Sequence, residues 1–344
     1  MPLIDIEALE NLPKYRDLHI WADYTELLCF FHPDGLMSKG ELADRVSEGR
    51  IVGETSPADE DAIDSEKEAY DPESADETKS MPSKVTARDE QLIEDIFEHL
   101  KYRYTSFGQA YPFTFSPEKN CIEVHASQSA IQSLYLLTLL GANLRLVPKA
   151  ADRNTIADIF EVISAEAIRK YLPIHAEIDV FGANSYATKQ PYTGHIFTKI
   201  EALAKYTRNS LHPNCKKSTF KPNDTGDGGL DVIAKIPILD RAGSELLLFG
   251  QCACTEAWVI KQFSSMAITW RNKITFDLDP INCVFVPFCY RAPTGEWFNR
   301  DKIVNSMMWD RLRIVMSEPN LPYPVGDTIG DLIKQESQQK MDVV

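Results

Sequence analysis

Apolar residues recur at helical spacing in four stretches of the first half of the chain, and polar turns separate these stretches. Between the third and fourth stretches, the runs YPFTFSP and NCIEVHA flank a Pro-Glu-Lys-Asn turn, which is typical of a short hairpin. Ser38 and Glu41 have the spacing of a capping box at the start of the second helix. The four predicted helices lie at 16–31, near 39–48, from Thr86, and from 130 to Gly141.

The second half has a different pattern, in which near-continuous apolar runs alternate with helical segments. Such runs are typical of strands buried on both faces of a sheet, and the intervening helices cover those faces. We therefore predict an α/β fold for this half, preceded by a mostly α-helical region with a short hairpin. The helices are predicted at 154–171, 196–209, 255–270 and 301–317, and the strands at 230–238, 245–254 and 282–290.

An acidic stretch separates the second predicted helix from the third. Residues 54–77 contain eleven acidic side chains and one basic side chain, so their net charge is −10. The whole chain carries −15, which leaves only −5 for the other 320 residues. Because this stretch is poor in large apolar residues, it cannot offset the entropy cost of ordering, and we predict a disordered linker.

These patterns predict five consecutive segments. The first and last are a short helical segment and a tail, and the middle three are a linker, a regulatory region and an α/β domain. The order helix, hairpin, helix in the regulatory region is compatible with a winged-helix-like module. The predicted boundaries are 1–52 for the N-terminal helical segment, 53–85 for the acidic linker, 86–150 for the regulatory region, 151–320 for the α/β domain and 321–344 for the C-terminal tail.

Composition narrows the class of protein. No run approaches the ~20 apolar residues of a membrane helix, and the N-terminus lacks the basic start and apolar centre of a signal peptide. The seven cysteines are scattered without a CxxC pair, which is typical of reduced thiols. We therefore expect a cytoplasmic protein without membrane contact. Acidity disfavours nucleic-acid binding only weakly here, since most of the negative charge lies in one segment.

The candidate chemistry begins in the glycine-rich stretch NDTGDGGLD, where Asp227, Gly228 and Gly229 form a predicted supporting turn. Asp231 follows at the start of a buried strand. A carboxylate at that depth needs a partner, and a divalent cation is one solution. Gln251 lies on the next strand, where its side-chain carbonyl can face the same spot. Taken singly, these residues are equally typical of a plain turn, a salt bridge and a core amide.

Together, these residues resemble the restriction-endonuclease-like PD-(D/E)xK nuclease superfamily, in its Mrr-like branch, over residues of about 150–317. That branch carries a Gly-Asp-Gly-Gly-x-Asp strand, a Gln-x-Lys strand and a glutamate on the preceding helix, matched here by Glu161. The resemblance implies a restriction-endonuclease-like mixed sheet flanked by helices. It also implies a catalytic Mg²⁺ or Mn²⁺ site formed by Asp231, Gln251 and Glu161, and metal-assisted hydrolysis of phosphodiester bonds.

The chain departs from the family at the motif lysine. The position two residues after Gln251 holds Ala253. In one interpretation Lys261, about two turns into the predicted following helix, supplies the missing ammonium group and is catalytic. Lys235, four residues beyond Asp231, is a weaker substitute, since it lies farther along the strand. In the other interpretation the site is degenerate, and the domain binds nucleic acid or a partner protein without cleaving.

Basic residues gather before the site and are interleaved with aromatic residues. Such a cluster can follow a phosphate backbone, and it is equally typical of a solvated loop. The predicted nucleic-acid-binding residues are Arg208, Lys216, Lys217 and Lys221.

The resemblance thus implies a metal-dependent endonuclease, and we expect DNA as its substrate in preference to RNA. Such nucleases often serve restriction or anti-phage defence, where a regulatory or sensor protein restrains them, so such a partner is also expected. The alternative is a catalytically inert nuclease fold, and a third candidate is a protein-interaction subunit without nucleic-acid contact. A further hypothesis is that the acidic 54–77 segment covers the basic loop by mimicking a nucleic-acid backbone.

Overall fold

The computed structural model describes residues 3–14, 17–54, 87–238, 240, 242–255 and 257–341, with the side chains of 49–54 excepted. The helices are α1 (Leu18–Phe31), α2 (Lys39–Glu54), α3 (Ala87–Phe107), α4 (Ala130–Gly141), α5 (Ala150–Tyr171), α6 (Ile196–Tyr206), α7 (Trp258–Lys261), α8 (Ala267–Trp270), α9 (Arg311–Met316) and α10 (Val325–Glu336). The strands are β1 (Leu36–Ser38), β2 (Phe113–Ser116), β3 (Cys121–Val124), β4 (Glu177–Val180), β5 (Ser210–Leu211), β6 (Val232–Ile236), β7 (Leu246–Cys252), β8 (Ile274–Thr275), β9 (Ile281–Phe285) and β10 (Met307–Trp309).

Five strands form a mixed sheet in the order β10-β9-β7-β6-β4. The β4–β6 and β6–β7 pairs are antiparallel, whereas the β7–β9 and β9–β10 pairs are parallel. The short strands β5 and β8 pair separately. The predicted α/β class with a mixed sheet flanked by helices is therefore confirmed.

Alternate side chains of the central strands divide between two apolar cores. Val232 and Leu248 belong to the core that contains the apolar side chains of α5. Ile233 and Phe249 belong to a second core, which contains the apolar side chains of α6. Because successive residues of a strand point to opposite faces, this division explains why both strands are apolar at nearly every position.

The N-terminal region also follows its sequence pattern. The predicted hairpin is confirmed as β2 and β3, and β1 extends it to a three-stranded antiparallel sheet in the order β1-β3-β2. α4 begins at a capping box in which Ser129 and Gln132 exchange side-chain-to-backbone hydrogen bonds. The helices α1, α3 and α4 agree with prediction to within a few residues, and α2 continues to Glu54, beyond its predicted end.

A buried network of charges joins the N-terminal helices to the C-terminal half. Asp23 and Glu26 of α1 face Arg103 of α3, whose Nη1 lies 2.6 Å from Asp23 and 2.9 Å from Glu26. Arg311 of α9 binds the same two carboxylates at 2.8 and 3.5 Å. The Tyr135 hydroxyl donates to Glu26 at 2.9 Å. Burial alone would raise the pKa of Asp23, but Arg311 and Arg103 outweigh burial and lower that pKa.

The two ends of the described chain also pack together. The Glu336 carboxylate of α10 accepts hydrogen bonds from the backbone N–H groups of Leu3 and Ile4, at 2.9 and 3.2 Å. The Met341 N–H donates to the Phe31 carbonyl at 2.9 Å. One apolar core accordingly contains buried side chains from both ends of the chain and from both halves. The division into five segments stays a prediction.

The predicted linker at 53–85 lies outside the described residues from residue 55 onwards. Within the ranges that the structure covers, no helix is long and apolar enough to cross a membrane. The seven cysteines are all free thiols.

The predicted helix at 255–270 is wrong, because the segment forms two single-turn helices, α7 and α8. Side chains between them bind other parts of the chain. Gln262 Nε2 donates to the Lys302 carbonyl at 2.8 Å, and the Ser265 hydroxyl donates to Asn282 Oδ1 at 2.7 Å. These tertiary hydrogen bonds outweigh the helical propensity on which the prediction depended.

The predicted helix at 301–317 is wrong in its first part, where Met307–Trp309 form the edge strand β10. The Asp310 side chain then accepts a hydrogen bond from the Arg313 N–H at 3.2 Å, so it caps α9 and sets its start. The sequence analysis also missed β4, which has only four residues, and α10, which lies within the predicted tail.

Replacing Arg311 by Ala should lower the free energy of unfolding by about 3–5 kcal/mol, because two buried carboxylates lose a shared counter-charge. Chemical denaturation monitored by circular dichroism would measure this loss. Arg271→Ala is the matched control, since Arg271 forms an ion pair with Asp279 at the surface. Equal denaturation midpoints for the two variants would contradict the importance assigned to the buried network.

Candidate functional site

The candidate site lies at the edge of the main sheet where β6 begins and β7 ends. Asp231 precedes β6, and its backbone is held from both sides: the Phe181 N–H donates to the Asp231 carbonyl at 2.7 Å, and the Asp231 N–H donates to the Gly250 carbonyl at 2.9 Å. Its side chain is 4% exposed. The carboxylate oxygen Oδ2 accepts hydrogen bonds from the Cys252 N–H at 2.6 Å and from Gln251 Nε2. The structure therefore brings Asp231 and Gln251 together, as predicted.

The amide of Gln251 is oriented by two acceptors. Its Nε2 donates both to Asp231 and to the Cys252 carbonyl, the latter at 3.0 Å. With this orientation the amide nitrogen, and not the carbonyl oxygen, faces the carboxylate. For Gln251 to supply an oxygen ligand next to Asp231, its amide would have to rotate.

The predicted supporting turn has a clear steric basis. Gly228 and Gly229 have φ values of +70° and +77°, a conformation that favours glycine. A Cβ on Gly229 would lie 2.3 Å from the Ser264 Cβ and 3.1 Å from Gln251 Oε1. Asp227 closes the turn, since its Oδ1 accepts a hydrogen bond from the Gly229 N–H at 2.6 Å. The turn can thus lie against the Gln251 side chain only if this position is glycine.

Glu161 reaches the site from α5, on the helix where it was predicted. Burial, and after it the neighbouring Asp231 carboxylate, raise its pKa to about 9, against the opposing hydrogen bond from Asn184. Burial and Asp227 likewise raise the pKa of Asp231 to about 7, against the opposing effects of the Cys252 N–H, Lys261 and Gln251. Electrostatic repulsion therefore links the Glu161, Asp227 and Asp231 carboxyl groups at one sheet edge.

Asn184 is a site residue that the sequence analysis missed. Its Nδ2 donates to Glu161 Oε2 at 2.9 Å and to the Asp158 carbonyl at 2.8 Å. Its Oδ1 accepts a hydrogen bond from the Tyr186 N–H at 2.9 Å. Asn184 therefore orients Glu161 from the loop that follows β4. Nothing in the sequence marks this asparagine, since it lies in an irregular polar segment.

Lys261 ends the short helix α7, and it lies within the electrostatic range of the site. Its positive charge lowers the pKa of Asp231 and also that of the Cys254 thiol, although burial dominates both groups. The Lys261 side chain is half-buried, and within the described ranges it forms no ion pair closer than 4 Å. The lysine is therefore near the carboxylates without being bound to one of them.

The position of the motif lysine is closed by packing. Ala253 is fully buried in an apolar cluster with Trp258 and Val284, so a lysine there would have to bury its charge. Lys235, the weaker substitute for the motif lysine, does not reach the site either. Its Nζ lies 3.1 Å from Glu177 Oε2 and 4.1 Å from the ring centre of Tyr206, away from Asp231 at the far end of β6.

The four predicted nucleic-acid-binding residues do not form one cluster. Lys216, Lys217 and Lys221 are exposed on the loop that runs into the glycine turn. Arg208 lies beyond the opposite end of α6, where it forms an ion pair with Glu245 at 3.1 Å. Eleven helical residues therefore separate Arg208 from the loop's anchor at His195, and its role in nucleic-acid binding stays a prediction.

A different lysine, Lys199 of α6, belongs to the site. Its Nζ donates to the carbonyls of Thr225 at 2.8 Å and Gly226 at 3.1 Å, so it fixes the turn that carries Asp227. Burial lowers the pKa of Lys199, while Asp227 and Asp224 raise it. The sequence analysis missed it because a helical lysine carries no local signal of its tertiary partners.

The carboxyl oxygens of Glu161 and Asp231 are of the type that binds a hard divalent cation, although these side chains do not form a complete set of ligands around one point. Among the described residues, no three His, Cys, Asp or Glu side chains gather closely enough to hold a metal ion. The raised pKa values of Glu161 and Asp231 nevertheless show buried carboxyls that lack a sufficient counter-charge. Carboxylate oxygens are the ligands that Mg²⁺ prefers, and Mg²⁺ keeps several waters.

Comparison with protein-family models, curated proteins and solved structures finds no match to this chain. The resemblance to the PD-(D/E)xK superfamily therefore gains no support from these comparisons and stays a prediction. The functional assignment depends on the residues and their geometry.

Replacing Glu161 by Gln should make the protein more stable above neutral pH. A carboxyl whose pKa rises from its ordinary 4.5 to about 9 on folding holds its proton more tightly in the folded state. Stability therefore falls as pH rises through that window, and the Gln variant lacks this loss. The charged groups facing Glu161 are Asp158 on its own helix, and Asp231 and Asp227 from the sheet edge.

Denaturation of both proteins between pH 5 and 9, with a chelator present, would measure the effect. At pH 8 the variant should be more stable by at least about 1.4 kcal/mol, the equivalent of a tenfold change in proton binding. Asp331→Asn on the exposed face of α10 is the control. Parallel pH profiles for wild type and Glu161→Gln would contradict the assigned burial.

Proposed function

We propose that this protein is a Mg²⁺- or Mn²⁺-dependent nuclease that hydrolyses phosphodiester bonds, with DNA as the preferred substrate. The observation that carries the proposal is the convergence of three side chains from three elements at one sheet edge. Glu161 comes from α5, Asp231 from the start of β6 and Lys261 from α7. Groups with strongly shifted pKa values cluster at functional sites, because burying unbalanced charge reduces stability.

The order of elements supports the same proposal. α5 is followed by β4, β6 and β7, and then by β9, with β7 and β9 parallel. With α6 and β5 between β4 and β6, and with α7 and α8 only one turn long, these elements are compatible with the mixed sheet flanked by helices that the resemblance implies. The site also lies where the resemblance expects it, at the start of one central strand and the end of the next.

In the proposed reaction, a bound cation would polarise the phosphate and activate a water molecule. Asp231 and Glu161 would hold the cation, and Gln251 would add its carbonyl oxygen after amide rotation. Lys261, free of a close ion pair, can place its ammonium group near negative charge that develops on the phosphate. The exposed Lys216, Lys217 and Lys221 would hold the nucleic-acid backbone beside the glycine turn.

A second candidate function is nucleic-acid or protein binding without cleavage. It is favoured by two observations: Ala253 is packed into an apolar cluster, and Asp231 Oδ2 already accepts hydrogen bonds from Gln251 and the Cys252 N–H. In this case Asp231 would act as a structural acceptor that joins β6 to β7. A regulatory partner and a role in defence are also proposed, because nucleases of the family that this chain resembles often have both.

Cation binding can be tested independently of activity. Mg²⁺ should raise the melting temperature of the wild type more at pH 8 than at pH 6, because binding must displace protons from Glu161 and Asp231, whose pKa values are raised to about 9 and about 7. The shift should be lost in Glu161→Gln and kept in Asp331→Asn. Under the same conditions, cleavage of single- and double-stranded DNA and of RNA should require the metal. An Asp231→Asn variant that cleaves as fast as the wild type would contradict the assigned site.

The role of Lys261 has its own test. Lys261→Ala should lower the cleavage rate about 100-fold with little change in stability, because it removes charge stabilisation near the phosphate. Lys334→Ala, an exposed lysine on α10, is the matched control. Unchanged turnover in Lys261→Ala would reject its role. Tight, salt-dependent DNA binding without cleavage by any of these proteins would favour the inert alternative.

A further inference from the structure

A cavity of about 690 Å³ lies between the N-terminal helix and the main sheet, apart from the carboxylate site. Its walls come from α1, the loop after α4, residues 254, 255 and 257–259 around the start of α7, and residues 288 and 290 after β9. This volume is within the range of pockets that bind small molecules. Neither the resemblance nor the proposed reaction uses it.

One wall of the cavity is aromatic. Trp258 and Tyr290 contact each other edge to face with ring centres 4.9 Å apart, and Phe288 lies 6.1 Å from Trp258. His19 of α1 completes the group at 5.2 Å from Tyr290 and 5.5 Å from Phe288. Such a surface can bind a planar aromatic ring of a ligand, because offset-stacked and edge-to-face contacts between aromatic rings are energetically favourable.

Two of these side chains leave a buried polar atom without a partner. Among the described residues, His19 Nδ1 and the Tyr290 hydroxyl make no hydrogen bond. Burial lowers the pKa of His19 to about 3, so its ring is neutral near pH 7. Buried polar groups are nearly always paired, and an unpaired one is costly. A ligand with ring nitrogens or exocyclic polar groups could satisfy both atoms.

The rim of the cavity is positively charged. Lys14, Arg145 and Lys302 line it and are exposed, whereas Asp17 is the unpaired acid among the described lining residues. Asp23 also lines the cavity, but the two buried arginines of the charge network neutralise it. The described lining therefore favours an anion at its mouth and an uncharged ring at its wall.

We propose that this cavity binds a nucleotide, with the base against Trp258 and the phosphate at the basic rim formed by Lys14, Arg145 and Lys302. A nucleoside monophosphate is the simplest molecule that joins a heteroaromatic ring to an anionic group at this size. The cavity adjoins α7 directly, since Ala257 and Trp258 line it and the Lys261 N–H donates to the Ala257 carbonyl at 3.1 Å.

Isothermal titration of the full chain with AMP, adenosine and inorganic phosphate tests the proposal. AMP should bind in the micromolar range, and adenosine and phosphate each at least tenfold more weakly, because each supplies only one of the two features. Phosphate binding as tight as that of AMP would overturn the role of the aromatic wall. Absence of binding by AMP, GMP, CMP and UMP at millimolar concentration would overturn the proposal.

Two sets of variants locate the site. Arg145→Ala/Lys302→Ala should weaken AMP about tenfold, as expected for two exposed cations, whereas Lys101→Ala/Lys334→Ala should leave it unchanged. Trp258→Leu should lower AMP affinity to that of phosphate, and Trp258→Phe should retain it within about threefold. Equal affinity in wild type, the Arg145/Lys302 variant and Trp258→Leu would place the nucleotide elsewhere and reject the assignment. Because these measurements do not involve cleavage, they stand or fall separately from the nuclease proposal.

Discussion

The buried ion-pair network of Asp23, Glu26, Arg103 and Arg311 is the constraint on which the rest of the structure depends. All four side chains are almost fully excluded from water, so each needs the others. The network draws α1, α3 and α9 to one point, and α9 follows directly on the edge strand of the main sheet. It thereby ties the N-terminal helices to the sheet that carries the candidate site. The same network neutralises the wall of the nucleotide cavity, which would otherwise hold an uncompensated acid.

The candidate site shows the opposite balance. At the junction of β6 and β7, no arginine of the described residues pairs with the carboxyl groups, and their pKa values rise instead of falling. The carboxyl groups of both regions are buried, but only those of the ion-pair network have arginine partners. The network therefore stabilises the fold, whereas the carboxyl groups of the candidate site lack a matching positive charge. A divalent cation would supply the positive charge that the second region lacks. This contrast within one molecule is why the acidic cluster, and not the ion-pair network, is the proposed reaction centre.

Part of this site could be predicted from the sequence. Asp231, Gln251 and the glycine turn are local features, because a buried strand beginning with an acid and a turn requiring positive φ both have visible patterns. Glu161 and Lys261 were assigned by family resemblance and are brought near Asp231 by the fold. Asn184 and Lys199 could not be found, since their roles consist of contacts with segments 23 and 26 residues away. The ion pairs of Arg208 with Glu245 and of Lys235 with Glu177 could not be predicted for the same reason, since each acidic partner is distant in the sequence.

The sequence by itself determined the α/β class, the N-terminal helices, the hairpin and the central strands, because these depend on apolar periodicity and turn residues within a few positions. Only the tertiary structure decided that 255–270 is broken into two turns, that Met307–Trp309 is a strand and that Ala253 is closed to a lysine. In the first two cases a contact between distant segments outweighed a local preference: a hydrogen bond from Ser265 and the free edge of β9. In the third case the apolar cluster that closes the space around Ala253 includes the distant residues Val284 and Met308. Local preferences amount to tenths of a kcal/mol per residue, whereas one buried polar or apolar contact contributes about 1 kcal/mol or more.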